Sequence, residues 1–187
     1  EASVNTFLNK MNAFDIVHIS SHAKGGSFTS SAAIEFIDRT MTVDELYGLQ
    51  FNKELVVLSA CETGVGKIIR GEGVQSIARG FQYTGAQNTL FSLWKVNDFT
   101  TARLMEGFYT QLEETGSFNS SLHRSQLDFL DNPEIENSKK SPYYWAAFVY
   151  YGNTQLPHEQ GFQLWWIFLI VLPVLALLFL RNRKSRN

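Results

Sequence analysis

The sequence predicts an α/β fold: a mostly parallel sheet sandwiched between helices, with one transmembrane helix after it at the C-terminal end. Three observations carry this. Leu55-Val-Val-Leu58 is a short, purely apolar run rich in β-branched residues, the pattern of a strand buried on both faces of a parallel sheet. Ile16 to Ile19 repeats that grammar, running into small polar residues, a histidine and a glycine pair. Leu164 to Leu180 carries no charge, and a membrane span needs about 20 residues, with a lower limit of about 17.

Bulk properties narrow the class. The chain has 187 residues, 44% hydrophobic and 18% charged, a globular composition of one domain plus extras. The net charge is -2. Setting aside Arg181, Arg183, Lys184 and Arg186 leaves -6 for the rest, which argues against a nucleic-acid-binding surface. A single cysteine, Cys61, excludes an intrachain disulfide and a multi-cysteine metal site. No metal and no cofactor is expected. With neither an initiator Met nor a signal peptide, the chain is expected to begin inside a longer or processed protein.

The elements follow in order. Val4, Phe7, Leu8 and Met11 have helical spacing. The Ile16 strand and His22 come next, then a Gly/Ser-rich loop from Lys24 to Ser31. Ala32 to Ile37 reads as a strand. Thr42-x-x-Glu45 is a capping box for a short helix, and the strand ending at Leu58 follows. Gly64 to Gly73 reads as a loop with Lys67 among its glycines. It is not a phosphate-binding loop, because Cys61 stands where the first glycine must be and Ile68 where Ser or Thr must be. Val74, Ile77, Ala78 and Phe81 mark one helix face. Asn88 to Val96 is a strand, and Asn97-Asp98 caps a helix bearing Leu104, Met105, Phe108, Tyr109 and Leu112, which stops at Gly116. A further helix carries Leu122, Leu127 and Leu130 and ends at Asn132-Pro133. Trp145 to Tyr151 is the last strand.

Cys61 and His22 each follow a strand, and two strands of one parallel sheet would present them at the same edge. Ligands bind at the carboxyl edge of such sheets, and a cysteine nucleophile needs a base beside it. A cysteine there also reads as an inert, buried small hydrophobe. His18 rivals His22, but inside the apolar run it reads as a satisfied core histidine. His123 and His158 read as surface residues. Asp98 is a helix N-cap or a pocket acid. Tyr143, Tyr144 and Trp145 read as core and sheet-edge packing.

Ser21-His22-Ala23, Leu58-Ser-Ala-Cys-Glu-Thr-Gly64, Gly85-Ala86, Ser92-Leu-Trp-Lys-Val-Asn-Asp98, Phe108-Tyr109 and Pro142-Tyr-Tyr-Trp-Ala-Ala-Phe148 succeed one another along residues 1–153. As a set they resemble the CHAT domain, a caspase-like module found with tetratricopeptide repeats. The resemblance implies a caspase-like three-layer sandwich, here N-terminally incomplete, because the family has more sequence before its histidine strand. It implies His22 and Cys61 as a catalytic dyad, with the backbone amides of Ala23 and Cys61 forming an oxyanion hole. Many members have glycine where Ala23 stands, but alanine still supplies an N–H. The implied activity is that of a cysteine endopeptidase acting on a polypeptide substrate and gated by upstream tetratricopeptide repeats or another regulatory domain. Asp98, if not merely a cap, would select a basic substrate side chain. The alternative is a non-catalytic caspase-like scaffold in protein–protein signalling.

The expected organisation is a CHAT-like domain over 1–153, a linker over 154–163, a transmembrane helix over 164–180 and a basic tail over 181–187. Trp165 and Trp166 would form an aromatic belt at one end of the span, and the lipid bilayer is an expected partner. Pro173 is tolerable in such a helix. The basic tail would stay cytoplasmic, which favours an exoplasmic domain. A late-inserting C-terminal anchor would instead leave the domain cytoplasmic.

Overall fold

A computed structural model describes residues 2–26, 30–59, 67–69 and 73–153, with 67–69 and 73–75 described by backbone alone. Ser3 caps helix α1 (Val4–Lys10) by accepting from the Thr6 amide. Asp38 accepts from the Val4 amide at 2.9 Å, and that bond holds its carboxyl below the usual range. Strand β1 (Ile16–Ile19) follows. Then β2 (Ala23–Lys24), β3 (Ala33–Glu35) and β4 (Thr40–Thr42) form a small antiparallel sheet. Thr42 caps α2 (Val43–Leu46) by accepting from the Glu45 amide, one half of the capping box read in the sequence, while the Glu45 carboxylate pairs with Arg39. Strand β5 (Leu55–Leu58) is next.

The segment read as a glycine loop contains a hairpin, β6 (Lys67–Ile69) with β7 (Gly73–Gln75). Beyond it lie α3 (Ile77–Tyr83), β8 (Thr89–Ser92), α4 (Asp98–Thr115) and α5 (Phe118–Asp131). A short helix, α6 (Pro142–Trp145), starts on a proline and takes up Trp145, so the last strand, β9, is only Phe148–Tyr151.

β1, β5, β8 and β9 make one sheet in that order. Its strands alternate faces, as a pleat requires. Val56 and Leu58 of β5 join Ile19, Val4, Leu46, Ile77 and Phe81 in a core on the α1, α2 and α3 side. Leu55 and Val57 join Leu90, Leu104, Phe108, Leu122 and Phe148 in a core on the α4 and α5 side. β5 is thus wholly buried, and helices cover both faces of the sheet.

Two expectations are corrected. The fold is mixed α/β with a partly parallel sheet, not a mostly parallel one. β1–β5 and β5–β8 are parallel, but β8–β9 is antiparallel, as are the pairings in both smaller sheets. The cause is the connection. α4 and α5 form an antiparallel helical hairpin around Gly116, so two long helices, not one, separate β8 from β9. The chain therefore reaches the sheet from the opposite end.

The expected membrane helix is the second correction. No helix among the described residues is long and apolar enough to cross a membrane. The longest, α4 at 18 residues, carries Arg103, Glu106, Glu113 and Glu114. The span expected over 164–180 lies outside the described residues, as do Trp165, Trp166 and the basic tail. The transmembrane helix and the single-pass localisation with its exoplasmic domain thus have no spanning helix among the described residues.

Gly116 closes α4 at φ 62°, and a Cβ added there would meet only open space. At Gly85, φ 108°, a Cβ would lie 2.6 Å from the Phe51 carbonyl oxygen. Gly116→Ala should therefore cost about 1–2 kcal/mol, the left-handed penalty alone. Gly85→Ala adds a backbone collision and should be the more damaging of the two. Denaturant melts of the two variants should give that order; equal losses would mean that the Phe51 backbone yields freely.

Candidate functional site

The two strands that lead into the expected dyad are locked in register. Ile16 pairs with Leu55, Val17 with Val56, His18 with Val57 and Ile19 with Leu58. The Ser59 amide donates to the Ile19 carbonyl at 3.1 Å. Both strands thus finish at the same level of the sheet. His22 follows Ile19 by three residues, and Cys61 follows Ser59 by two. Cys61 itself lies outside the described residues.

His22 is exposed. Its carbonyl accepts from the Glu35 amide at 2.8 Å, and the Ser21 hydroxyl donates to the Glu35 carbonyl. β3 thereby fixes the backbone on which the histidine sits. No hydrogen bond reaches the His22 ring among the described residues. The Glu35 carboxylate pairs with Lys24 at 2.5 Å. That hydrogen bond and charge hold the Glu35 carboxyl below its ordinary value. Slight desolvation opposes this, and the nearby His22 charge adds a weaker pull in the same direction. Glu35 is a charged neighbour of His22 that sequence reading missed, because only the β2–β3 pairing brings it there. Ala23, the expected oxyanion-hole residue, is in β2 opposite Ile34 and packs against the core on the α1 side.

Asp98 is the exposed first residue of α4. The cap is Asn97, whose side chain accepts from the Phe99 and Thr100 amides. β8 is parallel to β5, so the α4 N-terminus lies past the same sheet edge from which Ser59 leads to Cys61. Trp94 donates to the Tyr143 carbonyl at 2.9 Å, and Trp145 to the Lys140 carbonyl at 3.1 Å. Tyr143 is exposed, and Trp145 packs against the core on the α4 side. His123 is exposed on α5, and His158 lies outside the described residues. Among the described residues no group of three or more His, Cys, Asp or Glu is placed to hold a metal.

His18 is the residue whose surroundings the sequence disclosed least. Its place in β1 puts it opposite Val57, on the sheet face that α4 covers. Nε2 lies 2.8 Å from the Ser59 hydroxyl, and Nδ1 lies 3.0 Å from the Tyr109 hydroxyl of α4. The His18 and Tyr109 rings are 5.7 Å apart at 35°. The residue as a whole is exposed at the end of the sheet, yet both ring nitrogens are engaged by hydroxyls. Burial pushes the imidazole below its usual value and raises the Tyr109 phenol to about 12. A neutral imidazole has one donor and one acceptor, and two hydroxyls can serve both. This is a satisfied histidine, but in a polar network instead of an apolar core. Nothing in the sequence links residues 41 and 91 positions away from it.

The family model for the CHAT domain matches residues 1–153, and the chain belongs to that family. It is also similar to tetratricopeptide repeat protein 28 of Mus musculus, 27% identical over 115 residues, 60% of this chain. The match covers 4% of that relative's length.

The low imidazole pKa has a consequence for stability. Above pH 6.5 His18 is neutral whether the protein is folded or not, and its stabilising effect is complete. Below 6.5 the unfolded chain takes up the proton first, so stability falls until pH passes the folded value. Glu35 and Asp38 also have depressed folded pKa values, but their contributions are present above 4.5 and 3.8 and are lost only below. Urea melts from about pH 8 to about pH 3 should therefore show two declining limbs. His18→Gln should flatten the upper limb and spare the lower; an unchanged upper limb would assign it to other groups.

Proposed function

We propose that this CHAT domain is a cysteine endopeptidase in which Cys61 and His22 form the dyad. The shared register of β1 and β5 carries the reading. Adjacent strands lie about 4.8 Å apart, and two or three residues of chain reach at most about 7 to 11 Å. Side chains at those positions can meet at one sheet edge. His22 is favoured over His18 as the base because no hydrogen bond reaches its ring among the described residues, while both nitrogens of His18 are engaged by hydroxyls.

In the reaction, the Cys61 thiolate attacks a peptide carbonyl and His22 protonates the leaving amine. A free thiol titrates near about 8.5, and a neighbouring imidazolium lowers that value. The amides of Ala23 and Cys61 would receive the oxyanion. Asp98, at the N-terminus of α4, would select a basic substrate side chain by charge. Regulation by tetratricopeptide repeats fits both the family and the name of the mouse relative.

A thiol-reactive peptidyl probe with a basic residue next to its warhead tests this on the full protein. Cys61→Ala should abolish labelling. His22→Ala should slow it by about a hundredfold or more, the scale of a lost general acid–base group. Asp98→Asn should weaken labelling by basic probes and leave neutral probes unaffected. Undiminished labelling in His22→Ala would reject the dyad. A folded protein that no such probe labels, but that still engages its repeats, would favour the scaffold reading.

A further inference from the structure

We infer that His18, held between Tyr109 and Ser59, is a positioning residue for Cys61. The inference rests on the reading of Cys61 as nucleophile. Ser59 is the last described residue before Cys61, two positions ahead of it, and it is tethered twice. Its amide donates to the Ile19 carbonyl at 3.1 Å, and its hydroxyl is 2.8 Å from His18 Nε2. The backbone bond alone would only continue the ladder. The second bond also fixes the side chain of the residue two positions ahead of Cys61. Tyr109 completes the arm at 3.0 Å from His18 Nδ1, so α4 bears on the exit through the imidazole.

The choice of residues supports a role beyond packing. The neighbours of His18 on this face, Ile16, Leu55, Val57 and Phe108, are apolar. His18 is the one exposed position of β1, and its two ring nitrogens are nonetheless both engaged by hydroxyls. A polar network in such a setting contributes fixed geometry more than net stability. The arm joins β1, the exit of β5 and α4, and each of its hydrogen-bonding groups is directional.

The test is the pH dependence of Cys61 alkylation by iodoacetamide in the full protein, read on the Cys61 peptide by mass spectrometry. This follows the thiol without requiring proteolysis. Each variant is checked by its melting curve. Ser59→Ala and His18→Leu should raise the apparent thiol pKa by about one unit, slowing alkylation at about pH 6.5 about tenfold. The double variant should be no worse than either single one, since both cut the same arm. His18→Gln, which can still bond Ser59, should recover part of the loss. Tyr109→Phe, the mildest change, should move the profile in the same direction by a smaller amount. It keeps the test decisive if His18→Leu does not fold. Folded variants whose melting temperature changes while the alkylation profile stays that of wild type would overturn the inference. A profile shifted by His18→Leu but not by His22→Ala would refute the dyad and leave the positioning arm standing.

Discussion

The parallel pairing of β1 with β5 is the constraint on which the rest depends. Leu55 to Leu58 is fully buried, with successive side chains feeding two separate cores. Shifting the pairing by one residue would exchange the two sets, so hydrophobic burial on both sides pins the register. That pinning aligns the strand ends and brings the residues after Ile19 and after Leu58 out at one edge. The small β2–β3–β4 sheet then takes the histidine segment and fixes it through Glu35.

The polar arm lies at that edge, where the apolar core gives way to groups that must be paired. His18, Ser59 and Tyr109 satisfy one another without a charge. A neutral imidazole suits this place because its hydrogen-bonding capacity matches two hydroxyls whichever tautomer it adopts. His22 is four residues further on, and no hydrogen bond reaches its ring among the described residues. Two histidines of one short segment thus acquire different environments from a single change of direction in the chain.

Most of the elements were legible in the residues. Thr42 and Asn97 announce helix starts and Gly116 a helix end by residue type alone, and in the structure Ser3 and Ser76 cap helices in the same way. These signals are local, so they survive without knowledge of the fold. Strand direction is not local. The alternation of helices and strands suggested a mostly parallel sheet, but the α4–α5 hairpin reverses the chain before β9. Gln126 of α5 then reaches the Trp145 and Phe148 carbonyls at 3.4 Å, a contact no periodicity could have indicated.

The sequence by itself determined that the chain is an α/β CHAT domain with a buried apolar strand ahead of Cys61 and a second strand ahead of His22. Burial pattern and capping chemistry are written in neighbouring residues, and the family motifs in short runs. Only the tertiary structure decided which strands run antiparallel, that Glu35 lies beside the His22 segment, and that Tyr109 and Ser59 hold His18. Those outcomes follow from contacts between residues far apart in the chain, where hydrogen-bond geometry and packing of whole elements, not local preference, choose the partner.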